Sequence, residues 1–219
     1  MSEQLIFNFP FKKSYLSQDF YVSENNVKAF KLIESWPNWS SRFVNIFGPK
    51  GSGKTHLLNI LGKKIESVLF NASKVDSNVL LKYKVKESLI IDDYKNNIDE
   101  KLLYTITNMG SQDNKYLIIS SLLPLKSFEI KLKDLRSRFT SFLEIGIDLP
   151  TDDLLSAILT KNFSDKQILI TKKNIEYILK NIERSFEKIN LFTNSIDNLS
   201  LVKSQPINLN LIKKVLKEI

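Results

Sequence analysis

The stretch GPKGSGKT at residues 48–55 follows the apolar run RFVNIF (42–47) and leads into THLLNILGKKI (55–65), whose apolar residues recur at helical spacing. It fits G-x-x-x-x-G-K-[ST] set between a strand and a helix, the context that gives the pattern its meaning. Gly48, Gly51 and Gly53 let backbone N–H groups curl around a phosphate at a helix N-terminus, with Pro49, Lys50 and Ser52 completing the loop. Lys54 is placed to reach the outer phosphate oxygens, and the Thr55 hydroxyl to ligate Mg²⁺. The stretch therefore predicts a site for ADP or ATP with Mg²⁺. His56, the single histidine, follows the loop inside its helix and reads as a packed or hydrogen-bonding residue instead of a catalyst.

Outward from this loop the chain alternates. ESVLFNA (66–72), SLIIDD (88–93), KYLIISS (115–121) and SFLEIGI (141–147) are short, apolar and β-branched, and read with RFVNIF as strands buried on both faces of a parallel sheet. IDEKLLYTITNMG (98–110) has helical spacing, so the order is βαβα. From residue 149 onward the pattern is helical only, with starts at Thr151, at Thr171 or Asn174, in FEKINLF (186–192), and at Asn208 or Asn210. The predicted class is α/β: a P-loop core with a parallel sheet flanked by helices over 16–148, then an α-helical lid over 149–219, with an irregular segment over 1–15.

The strand SLIIDDY (88–94) ends in two acids. Asp92 at the strand end is placed to hold Mg²⁺ through water, and Asp93 to orient or deprotonate an attacking water. Before the last strand, DLRSRF (134–139) offers Arg136 and Arg138, either as a solvated basic turn or as a surface arginine reaching a nucleotide held by a neighbouring subunit.

Composition excludes other chemistry. Zero cysteines rule out disulfides and thiolate nucleophiles, and one histidine leaves little for a His-based metal site or a Ser-His-Asp triad. No apolar run approaches the ~18–20 residues of a membrane span, so a soluble cytoplasmic protein with no membrane partner is expected. The net charge of +8 invites a nucleic-acid reading, but the lysines are scattered, so DNA contact is expected to be non-specific at most. Trp36 and Trp39 in ESWPNWS (34–40) read as a packed turn before the first strand, not a base-stacking platform.

The order DFYVSENNVKA (19–29), GPKGSGKTHLL (48–58), LIIDD (89–93), ISSLLP (119–124), LRSRF (135–139) and a helical lid resembles the AAA+ module of DnaA-type replication initiators and their shorter relatives of the Hda type, which inactivate DnaA. The resemblance implies that Phe20, Val22 and Asn26 lie by the adenine base, that Ser120 and Ser121 sit where sensor 1 reads the γ-phosphate, and that Arg138 is the arginine finger. QLIFNF (4–9) resembles the sliding-clamp-binding peptide of the Hda type, with Gln4 leading and Leu5, Phe7 and Phe9 as anchors. The implied partners are the DNA polymerase III sliding clamp, DnaA and a second copy of the chain.

Departures from the pattern accompany the matches. Leu122 stands where the initiators have a sensor 1 acid, and Asn190 where the lid arginine of sensor 2 is expected, with Arg184 and Lys188 as possible substitutes. Weak or absent autonomous hydrolysis follows. The sequence stops at KKVLKEI (213–219), after the lid, so sequence-specific origin binding is not expected. Three readings result: a regulatory adaptor acting on DnaA at the clamp, an ATPase of the initiator or helicase-loader type assembling on DNA, and a nucleotide-dependent tethering factor.

Overall fold

A computed structural model describes residues 20–203 and 205–219, except for the side chains of Glu187 and Lys203. The chain divides into two compact units between Asp148 and Leu149, each with its own core.

In the first unit, β1 (Phe43–Phe47), β2 (Ser67–Asn71), β3 (Ser88–Tyr94), β4 (Tyr116–Ser121) and β5 (Leu143–Gly146) form a parallel sheet in the order β2-β3-β4-β1-β5. The connections carry α2 (Lys54–Lys64), α3 (Asn78–Lys84), α4 (Glu100–Gln112) and α5 (Lys133–Thr140), and α1 (Val27–Glu34) precedes β1. Successive strand residues point to opposite faces, and the core divides accordingly. Leu89, Ile91, Leu117 and Ile119 join Leu103 of α4 and Leu135 of α5, whereas Val44, Ile46, Ile90 and Ile118 join Leu57 and Leu61 of α2 and Ile33 of α1. Trp36 and Trp39 pack on this second face, edge-on to each other and to Tyr116 with centroids at 5.0, 4.3 and 6.0 Å.

One expectation needs correction. The outer strands β2 and β5 are only half-buried, because each lies at a sheet edge with a neighbour on one side. The DLRSRF stretch, for which a basic turn is one of two readings, is helical: Leu135 and Phe139, one helical turn apart, are both buried against the core, and that burial fixes α5.

The second unit runs from Leu149 to Ile219 and holds α6 (Asp152–Asp165), α7 (Lys172–Asn181), α8 (Phe186–Lys203) and α9 (Leu209–Glu218). Side-chain oxygens of Thr151, Thr171 and Asn208 accept the amides of Leu154, Asn174 and Leu211, so three of these helices start on caps of the predicted kind. Apolar stripes of the four meet around Leu155, Ile178, Phe192 and Ile212. Among the described residues no helix is long and apolar enough to cross a membrane.

Candidate nucleotide site

The phosphate loop leaves the C-terminal end of β1, an inner strand between β4 and β5, on the carboxyl side of the sheet where ligands of open α/β sheets bind. Gly48 lies against the chain just after β5: a Cβ there would sit 2.5 Å from the Ile147 carbonyl oxygen. Gly53, in the left-handed region at φ 93°, caps α2, and a Cβ on it would stand 2.9 Å from the Phe20 ring. These contacts hold the loop close to the sheet and open toward the first turn of the helix.

Lys54 is 8% exposed, and its Nζ donates to the carbonyls of Gly48 and Pro49 at 2.8 Å each. Burial pushes this ammonium below the ordinary lysine range, and the carboxylates of Asp92 and Asp93 draw it part of the way back. An anion of higher charge in the loop would complete what those carboxylates begin. The Ser52 hydroxyl is 2% exposed and has no hydrogen-bond partner, which a polar ligand in the loop would remedy. The loop therefore fits a phosphate group.

Asp92 shares its parity with Ile90, so its side chain emerges on the face covered by α2. There Thr55 donates to Asp92 Oδ2 at 2.7 Å and Ser120 donates to Oδ1 at 2.5 Å. Two hard oxygen ligands, the Thr55 hydroxyl and the Asp92 carboxylate, thus converge beside Lys54. This donor set fits Mg²⁺: Thr55 and Asp92 would hold it, and it would supply positive charge to offset that of a bound phosphate.

Asp93 adopts a left-handed conformation at φ 63°, where the β3–β4 register breaks between Ile91 and Tyr94. The extra residue reverses the alternation: Tyr94 has the parity of Asp92, yet it is buried in the opposite core beside Phe139. Asp and Asn tolerate this backbone better than longer side chains, which gives a physical reason for Asp-Asp at this strand end. The Asp93 amide donates to Ser120 Oγ at 2.9 Å, and its carboxylate pairs with Lys95 at 2.7 Å.

The two serines of β4 face opposite ways. Ser120 meets Asp92, whereas Ser121 shares the other face with Asn45, whose Nδ2 donates to Ser121 Oγ at 2.9 Å. Ser121 in turn donates to the Leu123 carbonyl at 2.6 Å. A hydroxyl has one proton to give, and both are committed inside the protein, so the structure brings Ser120 to the Asp92 carboxylate and Ser121 to the sheet's other side. Asn45 also donates to the Ile119 carbonyl and accepts from the Leu125 amide, at 3.0 and 3.1 Å. Sequence reading passed over this residue, although a lone Asn inside the apolar run RFVNIF was its signal.

The segment expected by the base is built as follows. The Phe20 ring stacks on Phe30 at 5.7 Å and meets the His56 ring edge-on at 5.3 Å. Val22 is 40% exposed. Asn26 is buried, with its amide nitrogen donating to the Tyr21 carbonyl and its oxygen accepting from the Ser23 amide, both at 2.9 Å, so its side chain shapes the segment itself. Arg138 projects from α5 and donates to Asn108 Oδ1 of α4 at 3.1 Å, while Arg136 is exposed on the same helix. In the second unit Arg184 pairs with Asp152 at 3.0 Å, Asn190 accepts from Asn162 at 3.1 Å, and Lys188 donates to the Ile219 carbonyl. Leu122 is 42% exposed at the end of β4. Gln4, Leu5, Phe7 and Phe9 lie outside the described residues.

Comparison with known proteins agrees with this architecture. A family profile described as RNA helicase matches residues 44–127, which hold the phosphate loop, β3 and β4. The chromosomal replication initiator protein DnaA of Borreliella afzelii is 26% identical over 241 residues, covering 97% of this chain and 50% of the relative. The chain thus spans about half the length of the DnaA relatives it matches. Domain III of the Thermotoga maritima replication initiation protein DnaA superposes with a TM-score of 0.80 at 17% identity, covering 96% of this chain and 98% of that one. AMPPCP-bound DnaA from Aquifex aeolicus gives 0.68 at 20% identity, covering 86% and 66%. The chain thus shares the fold of DnaA domain III, a parallel sheet flanked by helices around a phosphate loop, and its sequence is similar to that of the DnaA relatives over almost all of its length.

Proposed function

We propose that the chain is a nucleotide-binding AAA+ regulator of replication initiation that acts with the DNA-loaded sliding clamp to stimulate ATP hydrolysis by DnaA. The observation that carries nucleotide binding is the convergence of Lys54, Thr55 and Asp92 on one face of the sheet. A DnaA relative of the same fold is bound to the ATP analogue AMPPCP, which supports ADP or ATP as the ligand here, with Mg²⁺ on Thr55 and Asp92.

The regulatory role rests on a contrast between two groups of residues. Groups that would read the γ-phosphate in this chain are weak: Leu122 is apolar, Asn190 is uncharged, and Arg184 is engaged by Asp152. Arg138, in comparison, stands on a short helix with its guanidinium steadied by Asn108. In this reading nucleotide at the phosphate loop sets the chain's conformation, QLIFNF (4–9) takes the chain to the clamp, and Arg138 enters the active site of ATP-bound DnaA. An arginine supplied in trans is worth ~10³–10⁵ in rate. The alternative, an autonomous DnaA-like ATPase assembling on DNA, is favoured by the similarity to DnaA itself.

The test is phosphate release from the purified chain alone, then with DNA-loaded clamp and ATP-bound DnaA. Negligible release alone with a clamp-dependent burst in the mixture is expected. Deleting residues 1–10 or changing Arg138→Ala should each abolish the burst and leave nucleotide affinity intact. Fast release alone, indifferent to clamp and DnaA, would replace this reading by the ATPase one.

A further inference from the structure

The geometry points to Ser120 as a positioning residue that sets the two neighbouring carboxylates, Asp92 and Asp93, in place of contacting phosphate itself. Its hydroxyl is fully buried at the end of β4 and lies between two groups of the adjacent strand. Its proton goes to Asp92 Oδ1, and one of its lone pairs accepts the Asp93 amide. With Thr55 on Oδ2, Asp92 is fixed from both sides and keeps lone pairs on each oxygen for a cation or its water.

The second contact has a different consequence. Asp93 is the bulged residue of β3, and bulging strips an amide of its ladder partner. Ser120 supplies that partner from the neighbouring strand, which steadies the left-handed turn at φ 63° and hence the direction of the Asp93 side chain. One hydroxyl therefore couples the orientation of the cation ligand to the backbone of the next acid. A serine or threonine can do this at a strand end, because its short side chain reaches one strand spacing of about 4.8 Å and no further. This assignment rests on the nucleotide reading of the phosphate loop, since it specifies how the Mg²⁺ side of that site is organised.

Groups that orient a metal ligand typically change metal affinity about 10–100-fold when removed. For the full chain, ADP affinity measured by calorimetry in EDTA and across a MgCl₂ titration should separate the roles. Ser120→Ala is expected to leave affinity in EDTA unchanged and to raise the Mg²⁺ concentration at half-effect about 10–100-fold, with Ser120→Thr restoring it. An unchanged Mg²⁺ midpoint in Ser120→Ala, or an equal loss of ADP with and without Mg²⁺, would overturn the assignment alone. No ADP binding by the unaltered chain would overturn the phosphate-loop reading and this assignment with it. If Ser120→Ala does not fold, amide exchange in the unaltered chain decides. Protection of the Asp93 amide comparable to that of Ile91 is expected, and rapid exchange at Asp93 would overturn the proposal.

Discussion

The Thr55 hydroxyl donates to Asp92 Oδ2 at 2.7 Å, joining the first turn of α2 to the end of β3 across 37 residues of chain. The contact depends on parity: Asp92 follows Ile90 by two residues and so emerges on the sheet face that α2 covers. Its neighbour Lys54 touches the loop carbonyls instead, so the two residues should fail differently. Lys54→Ala removes a charged donor and should weaken ADP binding about 10–100-fold whether or not Mg²⁺ is present, from a contribution of about 1.5–3 kcal/mol. Thr55→Ala should weaken it only in Mg²⁺. Calorimetric titrations in EDTA and in MgCl₂ check both, and equal losses for the two variants in EDTA would contradict the separation.

Asp93 shows how a strand end can demand one acid over another. Its φ of 63° is reached by Asp and Asn at lower cost than by longer side chains. Asp93→Glu should therefore lower thermal stability by about 1 kcal/mol, whereas Asp93→Asn should change it little, because the ion pair with Lys95 is exposed on both sides and worth about 0–1 kcal/mol. Denaturation midpoints of the two variants measure this. Equal midpoints would mean that the bulge relaxes around Glu.

Asn45 is a buried polar hub on β1, an inner strand of the sheet, bonded to Ser121, the Ile119 carbonyl and the Leu125 amide. Asn45→Ala takes the acceptor from the Leu125 amide and one donor each from Ser121 Oγ and the Ile119 carbonyl in a dry interior, and should destabilise the first unit by about 1–3 kcal/mol. Asn45→Asp keeps an acceptor for the Leu125 amide but loses both donors and buries a charge, so it should be no better. Urea denaturation followed by tryptophan fluorescence reads the effect near Trp36 and Trp39, which pack on the same unit. Wild-type stability in both variants would show that the bonds of Asn45 are replaceable.

Much of the site was legible because its parts are local. A phosphate loop needs glycines, a lysine and a threonine within eight consecutive residues, and its neighbours in the chain supply the strand and helix that aim it. The acid pair was legible for the same reason, since SLIIDDY carries its own strand ahead of it. The helix start at Thr151 could be read, and those at Thr171 and Asn208 narrowed to one of two residues each, because a cap bonds an amide only three residues on. The α5 helix was not, because what makes DLRSRF helical is the burial of Leu135 and Phe139 by residues remote in sequence.

By itself, then, the sequence determined the βαβα order, the phosphate loop, the carboxylate-tipped strand and the helical second unit, all of which follow from interactions within about ten residues. Only the tertiary structure decided which strands are edges, that Asp93 is a left-handed bulge, and that Ser120 and Ser121 serve opposite faces of the sheet. Those outcomes depend on strand pairing. The order β2-β3-β4-β1-β5 places Ser120 beside Asp92 and Asn45 beside Ser121, and no local pattern encodes which strand will lie next to which.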